Sequence, residues 1–446
     1  MKKEKFKNYV FDNDFLEYES CIHDFSDKLF QEFEDKSDQK NLRSKIDDLL
    51  NCRIVNHTEN KAASHPQYRR MGRDRYKLSS SSLDRLNSKF VAKGIREANV
   101  IILAIGGSYQ GPKLLLESFE KYNHQSDIKV TYKFITGSDP NEFISVTKQL
   151  NPKNTIFIIA SKSFTTDETI ESLKQALEWS IDPTYFIAIT SNIDEPFKYG
   201  IGVDDVNDII NIDSEIGGRY SIWTPIGEFV CDHDSFENFL EGGNRADEDL
   251  QELEDNKYFK FVKYLAFSDI WQNNYQGRNT RAVLSYIWNM RSFPDYIQQL
   301  EMESLGKQAN PNSEFKNTGQ IIFGGYGPKA QHSYFQLLHQ GTQQICADII
   351  ASKEDSKSLA YAQAVTQSKL LSNGAENLKD EEKINGNIPV NIFLLKKVDP
   401  STLGYLIATW EHRTFISAVM LGINPFDQFG VSAGKIYTKK YLVKKD

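Results

Sequence analysis

The stretch Ile156-Phe-Ile-Ile-Ala-Ser-Lys-Ser-Phe-Thr-Thr-Asp-Glu-Thr169 constrains the chain more than any other. It opens as an apolar, β-branched run, the pattern of a buried strand. It then turns at once to hydroxyls: Ser161, Ser163, Thr165, Thr166 and Thr169, with Lys162 among them. From Ile170 onward apolar residues recur at helical spacing, at Ile170, Leu173, Ala176 and Leu177. The hydroxyls therefore sit on a strand-to-helix turn. A helix N-terminus offers free backbone N–H groups and the positive end of the macrodipole, which suits a phosphate. A plainer reading is a Ser/Thr capping box, and Thr165 with Glu168 has its spacing. Capping uses one or two hydroxyls, and five are present here.

Similar patterns surround it. Strands are expected at 100–105, 128–135, 155–160 and 185–190, separated by helical stretches. That is a doubly wound parallel sheet, which binds ligands at the carboxyl ends of its strands. The first strand runs into Gly106-Gly-Ser-Tyr-Gln-Gly-Pro112, with a helix expected from Lys113. This is not Gly-x-Gly-x-x-Gly, so a dinucleotide is disfavoured. Gly106 and Gly111 have the Walker spacing, but Pro112 stands in the lysine position, which argues against a nucleoside triphosphate. Gly106 and Gly107 still let a small polyanion approach the backbone, and Ser108 can donate to it; a structural tight turn is the alternative. Further on, Gly217 and Gly218 put Arg219 on a turn with close backbone access, or simply on the surface.

The first 50 residues are charged and read as helices at 15–33 and 42–50, and 55–65 reads as a solvated cap. From about Ser235 the character changes to long helices at 240–253, 258–273 and 296–305. Strands at 283–288, 319–323 and 390–395, with an apolar helix at 403–421, suggest a second α/β layer. This half carries more polar groups. Glu303 lies one helical turn from Gln299, on the same face. His332 stands at the start of an apolar helix, after a glycine-rich loop at 324–330. The turn-rich segment from Asp427 contains Gln428 and ends on Lys435. Each has a structural alternative: a solvated glutamate, a capping or core histidine. His339 and His412 read as structural.

A chain of 446 residues exceeds one ordinary domain. Its formal charge of −8 gives no global basic field, so no nucleic acid and no acidic membrane is expected as partner. An anionic substrate has to be held by local positive groups. Cys21, Cys52, Cys231 and Cys346 lie far apart without a Cys-x-x-Cys pair, which argues against a zinc site or a disulfide framework and for a reducing compartment. No apolar run approaches transmembrane length, so a soluble cytoplasmic protein is expected.

Taken together, the segments resemble the glucose-6-phosphate isomerase (phosphoglucose isomerase) family. The likeness runs from Asn56-His-Thr-Glu59 through Ile105-Gly-Gly-Ser108, Ser161-Lys-Ser-Phe-Thr-Thr166, Gly217-Gly-Arg-Tyr-Ser-Ile-Trp223, Met302-Glu-Ser304, Gln331-His332 and His339-Gln-Gly-Thr342 to Asp427-Gln428 and Lys435. Ser163 stands where threonine is usual, Leu305 where asparagine is, and Ala330 where glycine is. The resemblance implies two sugar-isomerase (SIS) domains, each a three-layer α/β/α unit with a parallel sheet. A small domain at 64–234 would interrupt a large one at 1–63 and 235–446. It implies reversible isomerisation of glucose 6-phosphate and fructose 6-phosphate, with no cofactor and no metal. By the same resemblance Glu303 is the base, His332 with Lys435 opens the ring, and Arg219 stabilises the enediolate. Gly107, Ser108, Ser161, Lys162, Ser163, Thr166, Gln299 and Gln428 would bind the sugar phosphate. A homodimer is implied, with His332 donated across the interface. A non-catalytic sugar-phosphate sensor and a second, extracellular role are the alternative readings.

Overall fold

The computed structural model describes residues 9–120, 128–252, 256–375 and 378–443. The chain opens with β1 (Val10–Asp12) and β2 (Leu16–Cys21). Five strands follow: β3 (Glu97–Leu103), β4 (Lys129–Ile135), β5 (Thr155–Ala160), β6 (Phe186–Thr190) and β7 (Ile209–Asn211). They form one all-parallel sheet in the order β4-β3-β5-β6-β7. The next four are β8 (Thr280–Ser285), β9 (Ile321–Tyr326), β10 (Ile345–Ser352) and β11 (Val390–Leu395). They join the first two strands in a second sheet, ordered β1-β2-β11-β10-β8-β9. Its four later strands are mutually parallel, and β2 pairs antiparallel with β11.

The two sheets wind alike. In each, the first parallel strand has the second on one side and the third on the other. The direction of winding thus reverses between β3 and β5, and again between β8 and β10. Such a reversal splays the following loops apart and leaves a crevice at the strand ends. Every residue of β5 and of β10 is buried, as expected for strands covered by helices on both faces. The helix Pro400–Leu421 is buried over nearly its whole surface. It crosses the helix His233–Gln251 at glycines. A Cβ on Gly404 would lie 2.0 Å from Phe239 O, and one on Gly242 would lie 1.9 Å from Ser401 O. Only hydrogen fits at either position.

The α/β class and its parallel sheets are those expected, as are the strands at β3, β4, β5, β6 and β11. Other elements differ. The helix expected at 15–33 is two elements. Leu16, Tyr18 and Ser20 point inward while Glu17 and Glu19 point outward, so period 2 wins and β2 forms. A helix starts only at Asp27, capped by Ser26 Oγ, which accepts from Leu29 N. The helix expected from Lys113 begins six residues earlier, at Gly107, with Pro112 inside it. Gly324 and Gly325 belong to β9 and not to a loop. The strands β7 and β10 lie outside every sequence expectation.

Candidate active site

The two turns that follow β3 and β5 share one crevice. In the first, Gly106 holds φ +59°, which glycine adopts without strain. A Cβ there would come within 3.0 Å of Gln299 Nε2. One on Gly107 would sit 1.9 Å from Gly218 O and 2.7 Å from Arg219 N. The glycine pair therefore lets this turn press against both the glutamine helix and the arginine turn. Ser108 follows, buried in the first turn of the helix Gly107–Ser118.

The second turn is held from behind. Lys162 O accepts from Ser191 N, Ser191 Oγ and Thr190 Oγ1, each at 2.9 Å. Ser163 O accepts from Asn192 Nδ2 at 3.2 Å. A trans peptide points its N–H opposite its C=O, so the Ser163 N–H points away from Thr190 and Ser191. Phe164 takes φ +52° and buries its ring under the turn. The capping-box reading does not hold here. Thr165 Oγ1 donates to Ser163 Oγ at 2.9 Å, and the N-cap of the helix Asp167–Ser180 is Thr166, whose side chain makes no cap bond. Ser161 is buried at the base of the turn and Lys162 is half-buried. Burial, then the neighbouring Lys61, lowers the Lys162 ammonium below the usual lysine range.

Across the crevice stands the helix Phe293–Leu305. Glu303 Oε2 accepts from Gln299 Nε2 at 3.1 Å and lies 3.3 Å from Arg219 Nη1. The Glu303 side chain is 27% exposed, against 1% for that of Arg219, so the carboxylate is the member of the pair that reaches solvent. The guanidinium is aimed by its remaining donors. Nε bonds Ser304 Oγ at 2.7 Å, Nη1 bonds Gln428 Oε1 at 3.0 Å, and Nη2 reaches Pro425 O and Asp427 O. Glu303, Gln299, Arg219, Gln428 and Gly107 thus form one cluster.

His332 and Lys435 stand apart from it. His332 lies exposed in the turn between the helices Gly327–Ala330 and Phe335–Gln340, not at a helix start. Among the described residues no hydrogen bond or ion pair ties it to Glu303 or Arg219. Lys435 lies on the exposed helix Ser432–Val443. One turn further on, Lys439 Nζ meets Asp167 Oδ1 at 3.0 Å, directly after Thr166. Residues four apart share a helix face, so Lys435 lies on the face turned to the hydroxyl turn. Leu305 and Ala330, the unusual residues, are both buried in packing, Leu305 against Gly319 and Ala330 near Tyr286 and Phe335. His412 is buried and bonded to Asp247 at 2.8 Å, and His339 bonds Gln367 at 2.9 Å; both are structural, as expected. Sequence reasoning missed Ser304 and Lys307. Lys307 lies beyond the end of the Glu303 helix, so no helical spacing points to it.

A parallel sheet with a hydroxyl-rich turn at its switch point, and a glutamate–arginine pair beside the neighbouring glycine turn, is the frame of a sugar-phosphate enzyme of the α/β class. The phosphoglucose isomerase family model matches residues 23–445, and the chain belongs to that family. The glucose-6-phosphate isomerase of Saccharophagus degradans is 32% identical, over 94% of this chain and 85% of its own. That of Wigglesworthia glossinidia brevipalpis is 33% identical, over 86% and 78%. The crystal structure of a glucose-6-phosphate isomerase from Chlamydia trachomatis superposes with a TM-score of 0.82 at 24% identity, covering 98% of this chain and 90% of that one, and supports the fold.

Proposed function

We propose that this chain interconverts glucose 6-phosphate and fructose 6-phosphate, a step of glycolysis and gluconeogenesis. The observation that carries the reading is the Glu303–Arg219 pair, 3.3 Å apart and packed beside the glycine turn that follows β3. The phosphate takes part in no bond change. Ser108, Ser161, Ser163, Thr166 and the N–H groups of the turn hold it, with Lys162 beside them. Hydrogen bonds to a charged group are worth about 1.5–3 kcal/mol each. That energy, gained remotely, holds C1 and C2 against Glu303.

Glu303 takes the proton from C2 of the opened aldose, giving a cis-enediol, and returns it to C1. The charge developing on the enediolate oxygens falls near Arg219, whose donors are already aimed and cost no reorganisation. Gln299 and Gln428 orient the carboxylate and the guanidinium. His332, with Lys435 near the same oxygens, moves protons between the ring oxygen and O1. An imidazole suits that task because its charge changes near neutral pH.

In this reading His332 serves the neighbouring subunit of a homodimer. Two features favour it: His332 is exposed, and the helix Ser432–Val443 exposes Ile436 and Tyr437. The division into a unit of 64–234 inserted in a unit of 1–63 and 235–446 belongs to the same proposal; each sheet draws its strands from one unit only. So does a cytoplasmic location, favoured by four free cysteines; among the described residues no helix is long and apolar enough to cross a membrane. The test is a coupled assay that supplies fructose 6-phosphate and detects glucose 6-phosphate. Binding without turnover would return the protein to the sensor reading.

A further inference from the structure

The helix that carries Glu303 ends at Leu305, and Lys307 N turns back to Leu305 O at 2.8 Å. The Glu303 carbonyl, one of the last four of that helix, therefore lacks the backbone donor that a longer helix would supply. The side chain of Lys307 supplies it instead: Lys307 Nζ donates to Glu303 O at 2.6 Å. The same ammonium donates to Asp427 O at 2.6 Å and lies 3.5 Å from Asp427 Oδ1. Asp427 O also accepts from Arg219 Nη2 at 3.2 Å. One carbonyl is thus shared by two cations, Lys307 and Arg219. The Asp427 carboxylate is fixed from its other side, where Oδ2 accepts from Thr58 Oγ1 at 2.8 Å and from Asn424 Nδ2 at 3.0 Å. Three segments distant in the chain, at 56–58, 303–307 and 424–428, meet at this point.

We infer that Lys307 is a positioning residue of the isomerase site. It locks the end of the Glu303 helix to the Asp427 carbonyl on which Arg219 rests, and so sets the distance between base and guanidinium. It does not itself bind substrate, since its donors are spent on protein oxygens. The inference rests on the isomerase reading given above. Among the described residues no hydrogen bond or ion pair joins the turn at 161–166 to these atoms. Removing the clamp should therefore degrade the proton transfer and spare the binding of the phosphate.

The charged groups facing Lys307 are Glu303 on its own side and Arg219 and Asp427 across the gap. Burial first, and the Arg219 charge second, lower the Lys307 ammonium below the usual lysine range. Its charge is thus lost at lower pH than that of an exposed lysine, whereas an arginine in its place stays charged throughout.

The experiment compares wild type with Lys307→Met and Lys307→Arg in the fructose 6-phosphate assay. Inhibition by inorganic phosphate and thermal unfolding are measured alongside. For Lys307→Met the expected result is a kcat at least 20-fold lower, with KM and the phosphate inhibition constant within about twofold. Lys307→Arg should restore most of kcat, and the alkaline limb of its kcat profile should move to higher pH. A kcat for Lys307→Met within twofold of wild type overturns the inference. So does a loss that follows only the unfolded fraction. If Lys307→Met does not fold, Lys307→Arg decides alone, and an unmoved alkaline limb overturns it. Absence of turnover in the wild type would instead remove the isomerase reading, and the inference with it.

Discussion

The pentapeptide Ile-Ile-Ala-Ser-Lys occurs at 158–162 and again at 349–353, each time where the third strand of a parallel sheet runs out. In both sheets the end of the pentapeptide bonds the end of the next strand, β6 or β11: Ser161 N to Ile189 O at 3.1 Å, Lys353 N to Leu395 O at 2.8 Å. Beyond the lysine the two turns diverge. After Lys162 come Ser163, Thr165 and Thr166, and the N-cap hydroxyl makes no cap bond. After Lys353 come Glu354 and Asp355. The Glu354 carboxylate takes Val398 N at 2.6 Å, and Lys353 pairs with Glu17. The helix N-cap there, Ser358, spends its hydroxyl on Tyr361 N at 3.1 Å. Topology makes a crevice twice. In the proposed function only the first takes the phosphate: the turn from Ser161 to Thr166 holds no carboxylate, whereas the second opens on Glu354 and Asp355.

The contrast is tested most severely at the base that faces the first crevice. Glu303→Gln keeps volume and hydrogen bonding and removes basicity. Acid–base groups of this kind contribute about 10²–10⁴-fold, so kcat should fall by about a thousandfold. Binding of the sugar phosphate, followed by calorimetry, should survive. Turnover near that of wild type would sink the assignment.

Next in size comes the first turn itself. Ser161→Ala combined with Thr166→Ala removes two donors to the phosphate, and KM should rise by at least about 10–100-fold, the worth of one charged hydrogen bond. Inorganic phosphate should inhibit the double variant less than the wild type. Unchanged kinetics would mean that phosphate binds elsewhere, and the contrast between the two turns would lose its meaning.

In the proposed function the second sheet contributes in another way, through the turn after β9, which carries His332 to the neighbouring subunit of a homodimer. Glu303→Gln and His332→Ala subunits, each nearly inactive, are mixed, unfolded and refolded. In a hybrid dimer one site takes Glu303 from one chain and His332 from the other, and is intact. The other site carries both lesions. Random pairing makes about half of the dimers hybrid, so roughly a quarter of the wild-type activity should return. No recovery, with hybrids confirmed by differential tags, would show that His332 acts within its own chain or not at all.

Much of this was legible in the sequence where local pattern decides. The run 156–160 is apolar throughout and ends on hydroxyls, so strand, turn and helix read directly. Gln299 and Glu303 share a helix face by spacing alone, and the structure bonds them. The rest depended on distant partners. β2 alternates Leu16, Tyr18 and Ser20 inward, but its charged residues and its place beside a helix hid a strand that pairing with β1 and β11 stabilises. β10 was missed because polar Asp348 interrupts its apolar run; that carboxylate is buried against Arg413, a contact 65 residues away in sequence. The repeated pentapeptide was a signal that could have found it. Lys307 was passed over because its partners, Glu303 O and Asp427 O, are backbone atoms of two separate segments.

The smallest effect separates the two turns most cleanly, because the same chemical deletion should act on different quantities. Thr166→Ala and Ser358→Ala each remove the hydroxyl of a helix N-cap. Ser358 Oγ holds Tyr361 N, so its loss should cost about 1 kcal/mol of stability, the usual worth of a cap. kcat and KM should not move, because the second crevice holds Glu354, whose carboxylate takes Val398 N, where the first holds hydroxyls. Thr166 makes no cap bond, so its removal should leave the unfolding temperature nearly unchanged and raise KM. Thermal unfolding and steady-state kinetics on the two single variants give four numbers, and the expected pattern is crossed. If Ser358→Ala raised KM as Thr166→Ala does, the second crevice would also be contributing to phosphate binding. If Thr166→Ala lowered stability and left KM alone, its hydroxyl would be an ordinary cap, and the turn at 161–166 would have to hold its anion with backbone and serine donors only.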